Sequence, residues 1–522
     1  MMKNRSTGPA VLFALLPVYP ILNFYANNLV IISPGTIVLV SLLTVTCTLV
    51  LGLLTGLLTR RYAASMAAAA AVMILLLSNG QFRALLVLIG FPPAETTRFV
   101  LQGVLHLFFV LLSIGVWISV RRNENVLHAL AVITVVLLLL PLPEIFAYHS
   151  REESPEVTRT EDATLTFLPD SSDYPHIIML LLDGYARADV LRDVYGYDNG
   201  KFITELRARN FFVADSAATN HTQTILSLTT LFTMQPLDLT QQGRLRPGES
   251  GNNARQALVD VYRLADVWRI LGAAGYIRLV TAMYGVPAPT EVDIILRNKI
   301  MRDIDLGLFA EETSWIFFRK LLSYDPRRNR AGDVNDFTFE LLDIAVDIAR
   351  DRRPSLLFAH ILAPHPPFTL SAGSERSRDR FPYIKDGSHY HQVHGTTPAD
   401  YVAGYREELA ALNDHVLKKV DEIISSERPL ILLLLSDHGP GAFLDWEDRS
   451  KSNIKERMAS FFAVYSSHGD VTGFPHRITP VNVFPVLFNS HFGTDYPLHE
   501  NHAWFSTWTR PFQLHDVSEE VW

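Results

Sequence analysis

Residues Pro175–Arg187 read PHIIMLLLDGYAR. Ile177–Leu182 is a continuous apolar run, the pattern of a strand buried on both faces. Asp183-Gly184 follows at once, where a parallel strand ends and a turn begins; ligands bind at that carboxyl end in α/β sheets. A second stretch rhymes with it: Leu430–Ser436 is apolar and runs into Asp437-His438-Gly439. Either half alone is also what a strand closed by a turn-forming Asp-Gly looks like. Together they bring two carboxylates and an imidazole to one sheet edge, a donor set for a divalent metal.

Outward from this pair, strands and helices alternate. Helices are expected over Lys201–Arg209, Arg255–Ala274 (stopped by Gly275), Phe337–Arg350, Ala399–Ser425 and from Thr479 toward Asn489. Strands are expected over Phe211–Ala214, Tyr276–Thr281, Ser355–Leu362, Ile431–Ser436 and Ser460–Tyr465. The pattern predicts an α/β domain with a mainly parallel central sheet between helices. Gly373–Thr397 is polar and reads as a solvated loop; its His389, His391 and His394 could also meet metal or substrate.

The first 143 residues differ in kind. They carry eight basic and two acidic side chains, and with the whole chain at −8 the remainder carries −14. Five apolar segments stand out: Pro9–Tyr25, Thr36–Leu58, Tyr62–Leu77 with an extension toward Gly90, Phe99–Val120 and Val126–Pro141. Most approach the roughly 20 residues that cross a bilayer core. A signal peptide would also explain the first, but it is Pro-interrupted and has no small-residue cleavage site before Asn27-Asn28. With five spans, Lys3/Arg5, Arg60/Arg61 and Arg121/Arg122 fall on one side, against Arg83 and Arg98. That bias puts the N-terminus in the cytoplasm and everything after about Pro143 outside it. The expected organisation is an all-α transmembrane bundle of about five helices (1–147), a juxtamembrane linker (148–174) and a catalytic domain (175–522). No basic tract suggests nucleic acid. The single cysteine, Cys47, excludes a disulfide framework or a cysteine metal site.

Metal chemistry at the paired strand ends calls for a nucleophile between them. In Thr219–Leu228, TNHTQTILSL, polar residues precede an apolar run resembling a helix. Thr224 falls near its start, where free N–H groups and the helix dipole favour anions. A hydroxyl beside a divalent cation ionises more readily and can attack phosphorus or sulfur. Thr222 or Thr224 serving only as an N-cap is the plainer alternative. His360 and His365, in HILAPHPPF at the end of the strand from Ser355, are placed to hydrogen-bond a phosphoryl oxygen or protonate a leaving group.

In this order the parts resemble the alkaline phosphatase superfamily, in its sulfatase-like branch. Within it they are similar to lipoteichoic acid synthases and lipid A phosphoethanolamine transferases, membrane enzymes with five helices before an extracytoplasmic domain. The resemblance implies an acidic metal ligand after the first strand (Asp183), a Thr nucleophile with Ser three residues on (Thr224, Ser227) and a late Asp-His pair (Asp437, His438). It implies Asp183, Thr224, Asp437 and His438 around Mn, Mg or Zn, with His360, His365 and Ser227 toward substrate. The activity implied is transfer or hydrolysis of a phospho-group on a lipid-linked or envelope glycan substrate, among membrane lipids. A sulfuric ester hydrolase and a non-catalytic membrane protein keeping the fold are the alternatives. The chain departs from the family in two ways. It can form no disulfides, and Pro440–Trp446 stands where the family has a further His-Gly motif. The Thr224 region also lacks the C/S-x-P-x-R setting of formylglycine sulfatases.

Overall fold

The structure, a computed structural model, describes residues 12–26, 32, 34–78, 95–149, 174–237, 252–281, 286–296, 330–371, 386–468 and 471–522. The chain divides into two compact units, one holding the described residues up to His149 and the other those from Tyr174 on. Most of the expected linker, at 150–173, lies outside the described residues.

In the second unit one sheet contains β1 (His176–Leu182), β2 (Phe212–Val213), β3 (Ile277–Thr281), β4 (Ile294–Leu296), β5 (Ser355–Ile361), β6 (Leu430–Leu435) and β7 (Phe462–Ser466). Their spatial order is β2-β7-β6-β1-β5-β3-β4. The two rhyming apolar runs are therefore neighbours, with Ile177 opposite Ile431 and Leu181 opposite Leu435. On its other side β1 pairs with β5, Leu181 opposite His360. Pairing is parallel from β6 through β1, β5 and β3 to β4. The sheet is mixed because β7 runs antiparallel to both β6 and β2. β7 returns directly beside β6, which an antiparallel neighbour can do without a helical crossover.

The apolar run of β1 is continuous because both its faces are covered. Ile178, Leu180 and Leu182 enter one core with Leu341, Leu342 and Ala345 of the helix Arg330–Arg350 and Tyr405, Leu409 and Leu412 of the helix Pro398–Ile424. The alternate residues Ile177, Met179 and Leu181 enter a second core. There they join Leu228 and Phe232 of the helix Thr224–Thr233, Trp268 and Leu271 of the helix Asp266–Ala273, and Phe484 and Phe488 of the helix Pro480–Phe492. This two-residue alternation is the pleat of a strand between two helical layers.

Three local expectations need correction. The helix foreseen over Arg255–Ala274 is two, Asn252–Arg263 and Asp266–Ala273, because Ala265 adopts an extended conformation between them. Thr479 precedes its helix without capping it; its hydroxyl donates to Asn501 Oδ1 at 2.8 Å. The polar stretch before the long helix is not all loop: Ser388–His394 is helical, and 372–385 lies outside the described residues. His391 is spent on structure there, with Nε2 at 2.9 Å from the Ala442 carbonyl and Nδ1 at 3.2 Å from Thr396 Oγ1.

The first unit is helical. Among its described residues, Pro34–Thr59 and His128–Phe146 are the helices long and apolar enough to cross a membrane. At 1.5 Å per residue, the 26 residues of Pro34–Thr59 reach about 39 Å against a hydrocarbon core of about 30 Å. Its side chains Leu42, Leu54, Leu57 and Leu58 are exposed, an apolar surface suited to lipid. The opposite side packs on the helix Tyr62–Leu77, where a Cβ at Gly52 or Gly56 would come 2.6 Å from Met66 Sδ or Tyr62 Cδ1. Small residues four apart let apolar helices approach closely in this way. Of the remaining expected spans, the first contains, among its described residues, the 3-10 turn Phe13–Leu15 and the short helix Val18–Ala26, and the extension of the third toward Gly90 lies outside the described residues. Helices Glu95–Arg122 and Glu124–Leu139 cover the fourth and fifth.

Candidate functional site

Parallel pairing sets the carboxyl ends of β1, β5 and β6 side by side. Asp183 follows the last residue of β1, and its N–H still donates to the Ile361 carbonyl at 3.0 Å, so the side chain leaves from a fixed backbone. Gly184 then turns at φ +74°, a conformation that favours glycine. On β6, Ser436 N–H donates to the Phe461 carbonyl at 3.0 Å and Gly439 N–H to the Arg457 carbonyl at 2.7 Å, which pins both ends of the Asp437-His438 step. Gly439 is required by space. A Cβ there would lie 2.0 Å from the Glu456 carbonyl oxygen.

Asp183, His360 and Asp437, all buried, each offer a ligand atom within 4.8 Å of the others. His360 Nε2 is 3.0 Å from Asp183 Oδ2. His438 Nε2 lies 3.7 Å from Asp183 Oδ1 and 3.1 Å from Asp437 Oδ2, the latter without hydrogen-bond geometry. Asp183 Oδ1, Asp437 Oδ2 and His360 Nδ1 are buried with no hydrogen-bond partner. Buried carboxylate oxygens without donors are costly. Two of them beside imidazoles fit a divalent cation of the Mn, Mg or Zn kind. His438 is oriented for this: its Nδ1 is 3.0 Å from the Gly439 carbonyl, which can only accept, so Nδ1 carries the proton and Nε2 presents its lone pair.

Charge follows geometry here. Burial pushes the Asp437 carboxyl up to about 6, and the negative charge of Asp183 adds to it against the pull of His360, Thr224 and Arg457. Asp183 is as deeply buried, yet His365, His360 and His438 hold it well below the usual carboxylate range. Burial, then the charge of Arg457, holds His438 well below the ordinary histidine value. A neutral imidazole is the ligating form.

Thr224 opens the helix Thr224–Thr233, and its Oγ1 is 3.1 Å from His438 Nε2. The structure thus brings the predicted nucleophile and the late Asp-His pair together across 214 residues of sequence. Neither threonine is the N-cap. Gln223 holds that position with no side-chain cap. Thr222 is buried and its hydroxyl donates to the Ser506 carbonyl at 3.1 Å. Ser227, expected toward substrate, has its hydroxyl engaged by the His221 carbonyl at 3.0 Å and Thr219 Oγ1 at 2.7 Å, inside the loop itself. Thr229 bonds back to the Ile225 carbonyl. His365 is buried beside this cluster; its Nδ1 is 2.6 Å from the Pro366 carbonyl, so Nε2 is the unprotonated nitrogen of the neutral ring.

Two supports were missed by sequence reasoning. The segment Arg457–Phe461 is a rail to which the site loops are fastened. Besides Gly439 and Ser436, its carbonyls accept from Thr219 N–H (2.8 Å at Met458) and Arg187 N–H (3.1 Å at Ala459), and Phe461 N–H donates to Tyr185 (3.0 Å). The C-terminal stretch around Trp504–Thr507 braces the loop before Thr224: Trp504 N–H donates to the Asn220 carbonyl at 2.8 Å, and Gln223 Nε2 to the Thr507 carbonyl at 3.2 Å. Neither segment has the Asp-Gly or His signal that marks the site.

No family model and no curated protein matches the chain. Solved structures do. The chain is similar to the zinc complex of the C-terminal periplasmic domain of EcEptC from Escherichia coli, with 11% identity and a TM-score of 0.42 over 66% of this chain and 94% of that one. It is similar to the integral membrane protein lipooligosaccharide phosphoethanolamine transferase A (EptA) from Neisseria meningitidis, with 12% identity and a TM-score of 0.37 over 88% and 89%. It is also similar to a protein in the alkaline phosphatase superfamily from Vibrio parahaemolyticus, with 12% identity and a TM-score of 0.36 over 68% and 79%.

Proposed function

We propose that this protein is a membrane-bound, metal-dependent enzyme of the sulfatase-like kind. It transfers or hydrolyses a phospho-group of a lipid-linked or envelope glycan substrate through a covalent Thr224 intermediate. The observation that carries this reading is the Thr224 hydroxyl, 3.1 Å from His438 Nε2 at the edge of a buried cluster in which Asp183 Oδ1 and Asp437 Oδ2 lack donors. Asp183, Asp437, His438 and His360 would hold the cation. When bound, it supplies positive charge that favours the ionised hydroxyl and offsets charge on the transferring group. The N–H groups of Thr224 and Ile225, which open the helix Thr224–Thr233, receive the anionic phospho-group. Thr224 Oγ forms a bond to phosphorus as the bond from phosphorus to the leaving oxygen breaks. The hydroxyl proton passes through water to the leaving oxygen, with His365 as the hydrogen-bonding side chain toward substrate. An acceptor hydroxyl or water then displaces Thr224 by the reverse sequence. The substrate class rests on the motif resemblance; the exposed apolar helix Pro34–Thr59 supports the membrane setting. The catalytic unit lies outside the cytoplasm, so a reporter fused after Thr160 is active only there.

The test uses the full chain in detergent with bis(para-nitrophenyl) phosphate and para-nitrophenyl sulfate as probes. Phosphodiester turnover is expected, abolished by chelation and restored by Zn²⁺, Mn²⁺ or Mg²⁺. Turnover indifferent to chelation contradicts the metal, and cleavage of the sulfate ester alone contradicts phospho-transfer.

A further inference from the structure

Thr224 and His438 belong to different loops, and something must hold them in register. Besides the backbone rail, the side chain of Arg457 touches both loops. Arg457 is buried at 2% exposure, in the short helix Ile454–Met458. Its Nε donates to the Thr222 carbonyl at 3.0 Å, two residues before the nucleophile. Its Nη1 donates to the Gly439 carbonyl at 2.9 Å, directly after His438, and to Asp386 Oδ2 at 3.0 Å. The guanidinium also lies 5.0 Å over the ring of Trp446. Asp386 is itself fixed, its Oδ1 accepting from Gly387 N–H at 2.8 Å and its carbonyl from the Trp446 indole at 2.6 Å.

Stability does not account for this arrangement. A buried Arg–carboxylate pair costs desolvation that well-packed apolar side chains would avoid. What the rigid fork of donors provides is a fixed separation between two backbone carbonyls, which a flexible ammonium cannot reproduce.

We infer that Arg457 is a positioning residue: a strut that sets the distance between the Thr224 hydroxyl and the Asp437-His438 pair by bridging the carbonyls of Thr222 and Gly439. Its effect on turnover rests on the function proposed above; its effect on geometry does not. Arg457→Lys keeps the charge opposite Asp386 and loses the fork. A misplacement near 1 Å costs about 100-fold in rate, so kcat falls by about that factor. KM stays within about threefold, because a positioning loss acts on the transition state rather than on uniform binding. Bound Zn²⁺ per chain is unchanged, and a crystal structure of the variant shows the Thr224 hydroxyl beyond hydrogen-bonding distance of His438 Nε2. If Arg457→Lys does not fold, Asp386→Asn, which removes only the counter-charge, gives the same kcat-selective loss at about tenfold. A folded Arg457→Lys that retains wild-type kcat, or that keeps the Thr224–His438 contact in the crystal, overturns the strut. Thr224→Ala in the same assay separates the two claims. Wild-type activity there overturns the proposed function, while an inactive Thr224→Ala beside a fully active Arg457→Lys overturns the strut alone.

Discussion

The ends of β1 and β6 look alike in sequence and behave differently in the fold. Each is an apolar run that stops at an Asp, with a Gly one or two residues later. At β1 the Gly bends the chain, at φ +74° and with open contacts: the nearest atom to an added Cβ is 3.8 Å away. At β6 the Gly clears a passage, since an added Cβ would meet the Glu456 carbonyl at 2.0 Å. The carboxylates differ as well. Asp183 is surrounded by three imidazoles and stays ionised, whereas burial and then the charge of Asp183 raise Asp437 to about 6. The Thr224 hydroxyl is found on the Asp437 side of the pair, at His438.

Removing the Asp437 carboxylate has the largest expected effect. Asp437→Asn is nearly isosteric and should keep the fold while weakening Zn²⁺ binding about 100-fold or more, since even outer supports of ligands are worth up to that. Competition titration reads it, and unchanged metal affinity would remove Asp437 from the cluster. Next come the glycines. Gly439→Ala should cost about 3 kcal/mol by forcing the Glu456 backbone aside, against about 1 kcal/mol for the φ penalty at Gly184→Ala. Equal losses in denaturant melts would erase the distinction between the two turns.

The smallest effect concerns Glu456, whose carbonyl confines Gly439. Burial pushes its carboxyl up to about 8 against the hydrogen bonds from Tyr195 Oη (2.5 Å) and Phe443 N–H (3.0 Å). An acid whose folded pKa exceeds its unfolded value of 4.5 binds more protons folded than unfolded. Its contribution to stability is full below about 4.5 and is lost as pH rises through about 8. Glu456→Gln should flatten the decline in melting temperature over that window. An unchanged slope would mean that this carboxyl is not the group responsible.

What was legible in the sequence came from local signals. Apolar runs ending in Asp marked β1 and β6, and a polar-to-apolar switch marked Thr224, because strand burial and helix starts impose short-range patterns. His360 was read toward substrate; the register of Leu181 opposite His360 places its ring against Asp183, and no periodicity encodes such a pairing. Arg457, Asp386 and the C-terminal brace at Ser506 and Thr507 were invisible for the same reason. Their contacts to the site loops span 18 to 284 residues and join loops without repeat or motif. The reversal of β7 was likewise hidden, since its residues read as an ordinary strand in either direction.

The central claim is that Thr224, and not its neighbour Thr222, carries the covalent intermediate. The structure gives the two hydroxyls different work: one meets His438, the other is buried against the Ser506 carbonyl. Acid-quenching the metal-loaded enzyme during turnover of a phosphodiester, followed by proteolysis and peptide mass spectrometry, tests this directly. The account predicts one phospho-group on the peptide containing Thr224, assigned by fragmentation to Thr224, retained in Thr222→Ala and absent from Thr224→Ala. A phospho-group assigned to Thr222, or one that persists in Thr224→Ala, would contradict it.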